Sequence, residues 1–424
     1  MNIGTDPRIL ELMRAAEQSA QSGRADDAWR HWESILKLDP NHPRALFRLG
    51  ERALRAGDLD GARTMLRQAA ASAPNEAGIL LNLALVERAR GDANSELAAI
   101  DRAIALDDAL LPAYLMKGAL LERVGKLRQA AKVYKTALAL APEQGLPNDI
   151  AQALVHARAI VQAQSDALER FLTDKLAPLR LRHSWVPLER FDEALGIAVG
   201  KRKVFVHRPA HLLFPQLPAI GFYDEAQFPW LKDLEAATPA IRDELVGLIE
   251  EEAHEFAPYV VKPENVPVQQ WGELNRSTKW SAYFLWRDGT RQDEHCTRCP
   301  VTARVIESMP MADMNGYAPT AFFSSLDPGV RIPPHTGSTN VRLIVHLPLI
   351  VPGHCRFRVA NEWREWQYGK AWVFDDSIEH EAINGSDQQR VVLIFDIWNP
   401  HLTTAERELI VAMQTGMSEY YAAE

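Results

Sequence analysis

Cysteine is scarce in this 424-residue sequence: Cys296, Cys299 and Cys355 are the only three. Three thiols in so long a chain do not make a disulfide framework. Long apolar runs are missing as well. The most hydrophobic stretch, "LIVHLPLIVPG", is interrupted by His346 and Pro348, well short of the roughly 20 residues that a membrane-spanning helix needs. The opening "MNIGTDPRILELMRAAEQ" lacks a basic start followed by an apolar core, so no secretory signal is read there and a cytoplasmic location is expected. A basic excess is also lacking. With 47 Lys and Arg against 56 Asp and Glu, the formal net charge of −9 argues against a general nucleic-acid binder.

What remains is a globular composition, 47% hydrophobic and 24% charged, in a chain long enough for two or three domains. The "CTRC" pair, Cys296 and Cys299, would need about two further ligands to hold zinc, and Cys355 is the only other thiol. A redox pair would be expected at a helix start in a thioredoxin-like unit, which the surrounding sequence does not suggest. A structural role is expected for both.

The first 145 residues repeat. Gly23, Gly57, Gly91 and Gly125 are spaced by 34 residues, as are Ala28, Ala62 and, past Glu96, Ala130. Pro40, Pro74 and Pro142 keep the same period, with Asp108 in the missing place. Trp32, Leu66, Ile100 and Tyr134 supply one large apolar residue per unit, and Ile35, Ala69, Ala103 and Ala137 follow three residues later on the same helical face. This pattern resembles the tetratricopeptide repeat over about residues 6–142. Glycine turns the chain between two antiparallel helices, alanine lets them approach, and proline ends the second. Such arrays commonly bind peptides or protein partners, though a spacer or dimerisation arm would read the same way. Residues 146–180 still read as helix and are expected to cap the array.

From residue 181 onward prolines, tryptophans and short strand-like runs take over. "IRDELVGLIEEEAHEF" (241–256) is the clearest remaining helix. The runs "WSAYFLW", "TAFFSSL", "NVRLIVHLPLI", "CRFRVA", "AWVFDD" and "RVVLIFDIW" are separated by turn-rich segments, the pattern of a sandwich or jelly-roll barrel. Alternation puts Arg342, Ile344 and His346 on one face of a strand, and Arg390, Val392, Ile394 and Asp396 on one face of another. Buried arginine and histidine are expensive unless paired. Either they pair internally or reach solvent at the strand ends, or they line a pocket for an anionic ligand that a guanidinium can grip.

His335 and His380 are 45 residues apart, enough for two intervening strands, and a jelly roll can bring both to one barrel mouth. Two imidazoles with an arginine nearby describe an Fe(II) oxygenase site, yet the usual His-x-Asp or His-x-Glu is absent: Gly337 stands two residues after His335. Asp375 and Asp376 precede His380. They are either an exposed acidic turn or a source of the missing carboxylate, orienting a metal-bound water from outside the ligand set.

"PPHTGSTNVRLIVHLPL", "VFDDSIEHEA", Arg390 and "DIWNPHLTTAER", in order through roughly residues 270–410, resemble the aspartyl/asparaginyl β-hydroxylase family, with weaker similarity back to about residue 185. The resemblance implies a multidomain chain: an all-α tetratricopeptide solenoid (1–145), a capping helix (146–180) and a double-stranded β-helix, a jelly-roll or cupin-like domain with flanking helices (181–424). It implies Fe(II), O2 and 2-oxoglutarate, with the iron held by His335 and His380 without a carboxylate. It further implies that Arg390 grips the co-substrate's far carboxylate, that Ser324, Trp280 and His346 assist, and that Arg342 faces the substrate. Of the two acidic residues before His380, Asp376 is taken as the candidate catalytic carboxylate on the physical ground that an acid outside the ligand set can orient a metal-bound water, not from the resemblance. Ile344 departs from the pattern, since some members carry arginine there. The expected reaction is β-hydroxylation of an aspartyl or asparaginyl residue, or of a related free amino acid or small metabolite, with the repeats binding substrate or partner. The alternatives are a non-catalytic solenoid adaptor with a degenerate cupin-like domain, and a zinc- or nickel-binding cupin, which would need a further ligand.

Overall fold

The 34-residue period becomes four helical pairs. The computed structural model describes residues 6–142, 144–314 and 316–422. The pairs are α1 (Pro7–Gln21) with α2 (Ala25–Leu38), α3 (Pro43–Arg55) with α4 (Leu59–Ser72), α5 (Ala77–Ala89) with α6 (Ala93–Leu106), and α7 (Leu111–Arg123) with α8 (Leu127–Leu140). Each periodic glycine follows the first helix of its pair at a φ between +74° and +81°, a left-handed conformation that only glycine adopts without strain. The periodic alanines and large residues are all buried. Glu96 is buried too, and its charge is met by Arg123. A second 34-residue series, Ala16, Gly50, Ala84 and Gly118, marks small buried positions on the first helices. A side chain on Gly118 would overlap the ring of Tyr134. Helix α9 (Asn148–Arg182) adds Leu154 and Ala157 to the core around Tyr134 and Ala137, and α10 (Glu189–Ala198) follows it.

The chain forms two compact units, divided between Lys201 and Arg202. The second contains α11 (Leu231–Ala236), α12 (Thr238–Glu251), β1 (Ala257–Pro258), β2 (Trp280–Arg287), β3 (Thr290–Arg291), α13 (Asp293–Arg298), α14 (Pro300–Glu307), β4 (Ala321–Leu326), β5 (Arg331–His335), β6 (Arg342–Ile350), β7 (Cys355–Val359), β8 (Glu362–Glu365), β9 (Trp372–Phe374), β10 (His380–Asn384), β11 (Arg390–Trp398) and α15 (Thr404–Ala422). Two antiparallel sheets result. One runs β1-β2-β4-β11-β6-β9, with β3 beside β2; the other runs β5-β10-β7-β8. From β4 onward the chain changes sheet at every step except β7 to β8, which is the double-stranded β-helix topology.

The alternation in β6 and β11 explains both faces of the larger sheet. Leu343, Val345, Leu347, Val391, Leu393 and Phe395 pack in one core with Ile241, Leu245 and Ile306 of the helices. The opposite face turns toward the smaller sheet, where Trp280, Phe374 and Val392 meet Ile332, Phe357 and Ala382. The strand "RIPPH" keeps two prolines because β5 is the edge of its sheet, where a missing N–H breaks no ladder on the outer side.

Candidate active site

A cavity of about 520 Å³ opens between the two sheets, and all eight residues singled out in the sequence line it: Trp280, Ser324, His335, Arg342, His346, Asp376, His380 and Arg390. His335 ends β5 and His380 begins β10, and the two are direct cross-strand partners with ring centroids 4.1 Å apart. Each ring is fixed in the same way. Nδ1 of His335 lies 2.8 Å from the Pro333 carbonyl and Nδ1 of His380 lies 3.0 Å from that of Ile378, so each Nδ1–H donates to backbone. The Nε2 lone pairs are thereby left over, the tautomer a metal ligand needs. Burial holds His335 below its ordinary pKa, and burial together with His335 holds His380 well below, so both imidazoles are neutral.

The absent carboxylate at position 337 has a spatial counterpart. A side chain on Gly337 would overlap the carboxylate of Asp376, which fills that space from the turn before β10. The Gly337 N–H donates to the Asp376 carbonyl at 2.6 Å and ties the two loops together. Asp376 is 8% exposed and its Oδ1 is buried without a partner among the described residues, so the exposed-turn alternative fails. Burial raises its pKa to about 7, against the opposing pull of Arg342. Asp375 faces elsewhere, accepting from the Ser377 backbone N–H at 2.9 Å and from its hydroxyl at 2.6 Å.

Arg390, also in the cavity wall, is 1% exposed and has no acidic partner among the described residues. Its guanidinium lies over the ring of Trp366, 4.7 Å from the centroid; Nη1 reaches the Ser324 carbonyl at 3.4 Å and Nε has no partner among the described residues. Burial lowers its pKa only to about 10, so it stays charged at neutral pH. An unpaired buried cation costs several kcal/mol, so internal ion pairing among the described residues does not account for Arg390. Around it, Trp280 Nε1–H donates to Ser324 Oγ at 3.1 Å, leaving the serine proton free to donate. Trp366 Nε1–H donates to His346 Nδ1 at 3.4 Å. Burial and the nearby Arg390 keep His346 well below its usual pKa, so its proton sits on Nε2.

Arg342 shows the other outcome, internal pairing. It forms an ion pair with Asp396 of the neighbouring strand, and Asp396 also accepts the Thr320 N–H at 3.2 Å. Burial raises Asp396 to about 6 despite the arginine. Ile344 lies between Arg342 and His346 on the same face, and a shelf of rings adjoins it: Tyr259 stacks on Trp280 at 4.2 Å and on Phe322 at 5.2 Å. Trp366, Asp396 and Tyr259 are therefore site residues that sequence reasoning did not single out. Alternation did carry a signal for Asp396, which shares the inner face of β11 with Arg390; nothing local marks Trp366.

Cys296 and Cys299 lie in the core between β2 and the helices, apart from the cavity. Cys296 Sγ–H points at the Leu285 carbonyl, 3.4 Å away, and burial pushes the two thiols up to about 11 and about 12. Among the described residues no three His, Cys, Asp or Glu side chains form a group that could hold a metal. None of the described helices is long and apolar enough to cross a membrane.

Residues 19–83 match the tetratricopeptide repeat family. The human aspartyl/asparaginyl beta-hydroxylase is 28% identical over 446 aligned positions, covering 96% of this chain and 56% of its own length. The ornithine lipid ester-linked acyl 2-hydroxylase of Rhizobium tropici is 36% identical over 195, covering 45% of this chain and 64% of its own length. Human aspartate beta-hydroxylase domain-containing protein 2 is 28% identical over 253, covering 58% of this chain and 66% of its own length. The chain thus spans little more than half of the human hydroxylase. Residues 235–400 match the aspartyl/asparaginyl beta-hydroxylase family, a match that follows the tetratricopeptide match in the sequence.

Proposed function

We propose that the β-rich unit is an Fe(II)- and 2-oxoglutarate-dependent hydroxylase acting on an aspartyl or asparaginyl side chain or a related small substrate. One observation carries this reading. A single cavity is lined by a buried arginine that has no acidic partner among the described residues and by two neutral histidines whose Nδ1–H groups are held by backbone carbonyls. The donor set fits ferrous iron at the histidines and a dicarboxylate between them and Arg390.

Bound iron and 2-oxoglutarate would supply the oxidative step, in which O2 gives one oxygen atom to succinate, released with CO2, and the other to a substrate C–H bond. The chain's own residues then divide the remaining work. Arg390 and the Ser324 hydroxyl would hold one carboxylate of the co-substrate, and His346 Nε2–H would offer a further donor from the same cavity wall. Asp376, whose Oδ1 has no partner among the described residues, would be available to accept a hydrogen bond from water near a bound metal. Phe357, Phe374 and Trp280 exclude bulk water. The repeat array is proposed to hold a protein partner or the substrate itself.

A second substrate reading has its own support. With Arg342 paired to Asp396 and Ile344 apolar, this stretch of the β6 wall is less suited to a substrate carboxylate than two free arginines would be. An acyl chain, the kind of substrate named for the Rhizobium tropici relative, suits such a wall.

Anaerobic titration with Fe(II) and 2-oxoglutarate tests the central claim through the visible band that chelated 2-oxoglutarate gives. The band is expected in the wild type, absent in His380→Ala and weakened in Arg390→Ala. A folded wild type without the band would leave only an adaptor. Succinate release stimulated by an asparaginyl peptide or by an acyl amide separates the two substrate readings.

A further inference from the structure

Residues 203–223 are almost free of regular structure, yet they run along both loops that carry the histidine side of the cavity. Arg208 N–H donates to the Ser377 carbonyl at 2.8 Å, and the Thr336 hydroxyl donates back to the Arg208 carbonyl at 2.7 Å. Ala210 N–H donates to the Gly337 carbonyl at 2.9 Å, and His211 N–H to that of Ser338 at 2.9 Å. Asn340 closes the run, accepting the Phe214 N–H at 2.7 Å and donating to the Phe214 carbonyl at 2.9 Å.

His207 is the anchor of this segment. Its side chain is 12% exposed, and both ring nitrogens are engaged. Nδ1 lies 2.9 Å from Ser377 Oγ and 3.3 Å from Asp375 Oδ2, and Nε2 lies 3.2 Å from the Leu217 carbonyl. The Ser377 hydroxyl already gives its proton to Asp375, so it accepts from His207 Nδ1–H. The Leu217 carbonyl can only accept, so Nε2 carries a proton as well. The imidazole is therefore a cation facing Asp375.

This contact reaches one turn, residues 375–378, which carries two features of the cavity. One is the Asp376 carboxylate in the space beside Gly337. The other is the Ile378 carbonyl, which sets the tautomer and direction of His380. His207 grips that turn from its far side and does not line the cavity.

We propose that His207 is a positioning residue: by hydrogen bonding to Ser377, with its charge facing Asp375, it sets the turn that presents Asp376 and aims His380 Nε2. The inference rests on the reading of this site as an Fe(II) and 2-oxoglutarate site, and it concerns the histidine side alone. Replacement of His207 should therefore move iron binding and leave the Arg390 end as it is.

The test uses the full chain and the variants His207→Ala, His207→Gln and Ser377→Ala, titrated anaerobically with Fe(II) at saturating 2-oxoglutarate, then with 2-oxoglutarate at saturating Fe(II). Partners outside the ligand set typically account for about 10- to 100-fold in metal affinity, and a loss of that size with a displaced band is expected for His207→Ala. Half-saturation by 2-oxoglutarate should stay within about twofold of wild type in the same variant. His207→Gln, whose amide can still donate to Ser377, should recover most of the loss. If His207→Ala does not fold, Ser377→Ala, which removes only the relaying hydroxyl, decides the matter by the same readings. Iron affinity within about twofold of wild type in the folded variants overturns the inference, as does a loss shared equally by iron and 2-oxoglutarate. A wild type without any band overturns the reading of the site, and the inference with it.

Discussion

At Gly337 a missing side chain and a buried carboxylate compete for one volume. A methyl group there would overlap the Asp376 carboxylate and force its turn outward. Gly337→Ala is therefore expected to weaken Fe(II) binding by at least about tenfold. It should also lower apo-protein stability by about 1–3 kcal/mol, the usual cost of overpacking, as read by urea unfolding. Unchanged iron affinity would mean that Asp376 has no part in the metal site. Trp366 makes a second residue-level case, because its two contacts can be separated. Trp366→Phe removes the N–H that fixes His346 and keeps a ring over Arg390. Loss of one hydrogen bond of roughly 1 kcal/mol should raise the 2-oxoglutarate half-saturation about three- to tenfold, with iron affinity unmoved. Trp366→Leu, which also removes the cation–π contact, should lose more than the phenylalanine variant does. Equal affinity in wild type and both variants would remove Trp366 from the site.

Within the helical pairs, glycine serves two purposes that respond differently to substitution. Gly91 follows α5 at φ +76° with nothing near its absent side chain, so Gly91→Ala should cost only the left-handed strain, about 1–2 kcal/mol. Gly118 lies inside α7, where alanine is otherwise the better helix former, but its methyl would overlap the Tyr134 ring. That ring is buried and its hydroxyl donates to Glu122. Gly118→Ala should therefore destabilise by about 1–3 kcal/mol in chemical denaturation, against the gain expected from helix propensity. A stabilised Gly118→Ala would show that the two helices can move apart. Among the strands, β10 illustrates why composition misleads. "HEAIN" looks polar, yet His380 and Ala382 face the inner core while Glu381 pairs outward with Arg331 and Arg358 of the flanking strands.

Each compact unit encloses cores of its own, drawn from residues on one side of the division at Lys201 and Arg202. Residues 202–424 expressed alone are accordingly expected to fold and to give the Fe(II)–2-oxoglutarate band with half-saturations close to those of the full chain. Insolubility of that fragment, or loss of the band, would show that the repeats complete the site. The sequence by itself determined the features that depend on local periodicity. The 34-residue spacing follows from helix pairs stacking one upon another, and the two-residue alternation of β6 and β11 follows from the pleat, so both could be read along the chain. Family resemblance pointed to the eight candidate residues, which the fold gathers around one cavity. Only the tertiary structure decided which charges are paired. Arg342 and Arg390 look alike on their strands, yet one meets Asp396 and the other meets no acid among the described residues. It alone also brought Asp376 into the space left by Gly337, Trp366 against His346, and His207 onto Ser377, 170 residues away in sequence. Such contacts depend on how the two sheets and the loops between them close in space, and no window along the chain contains both partners.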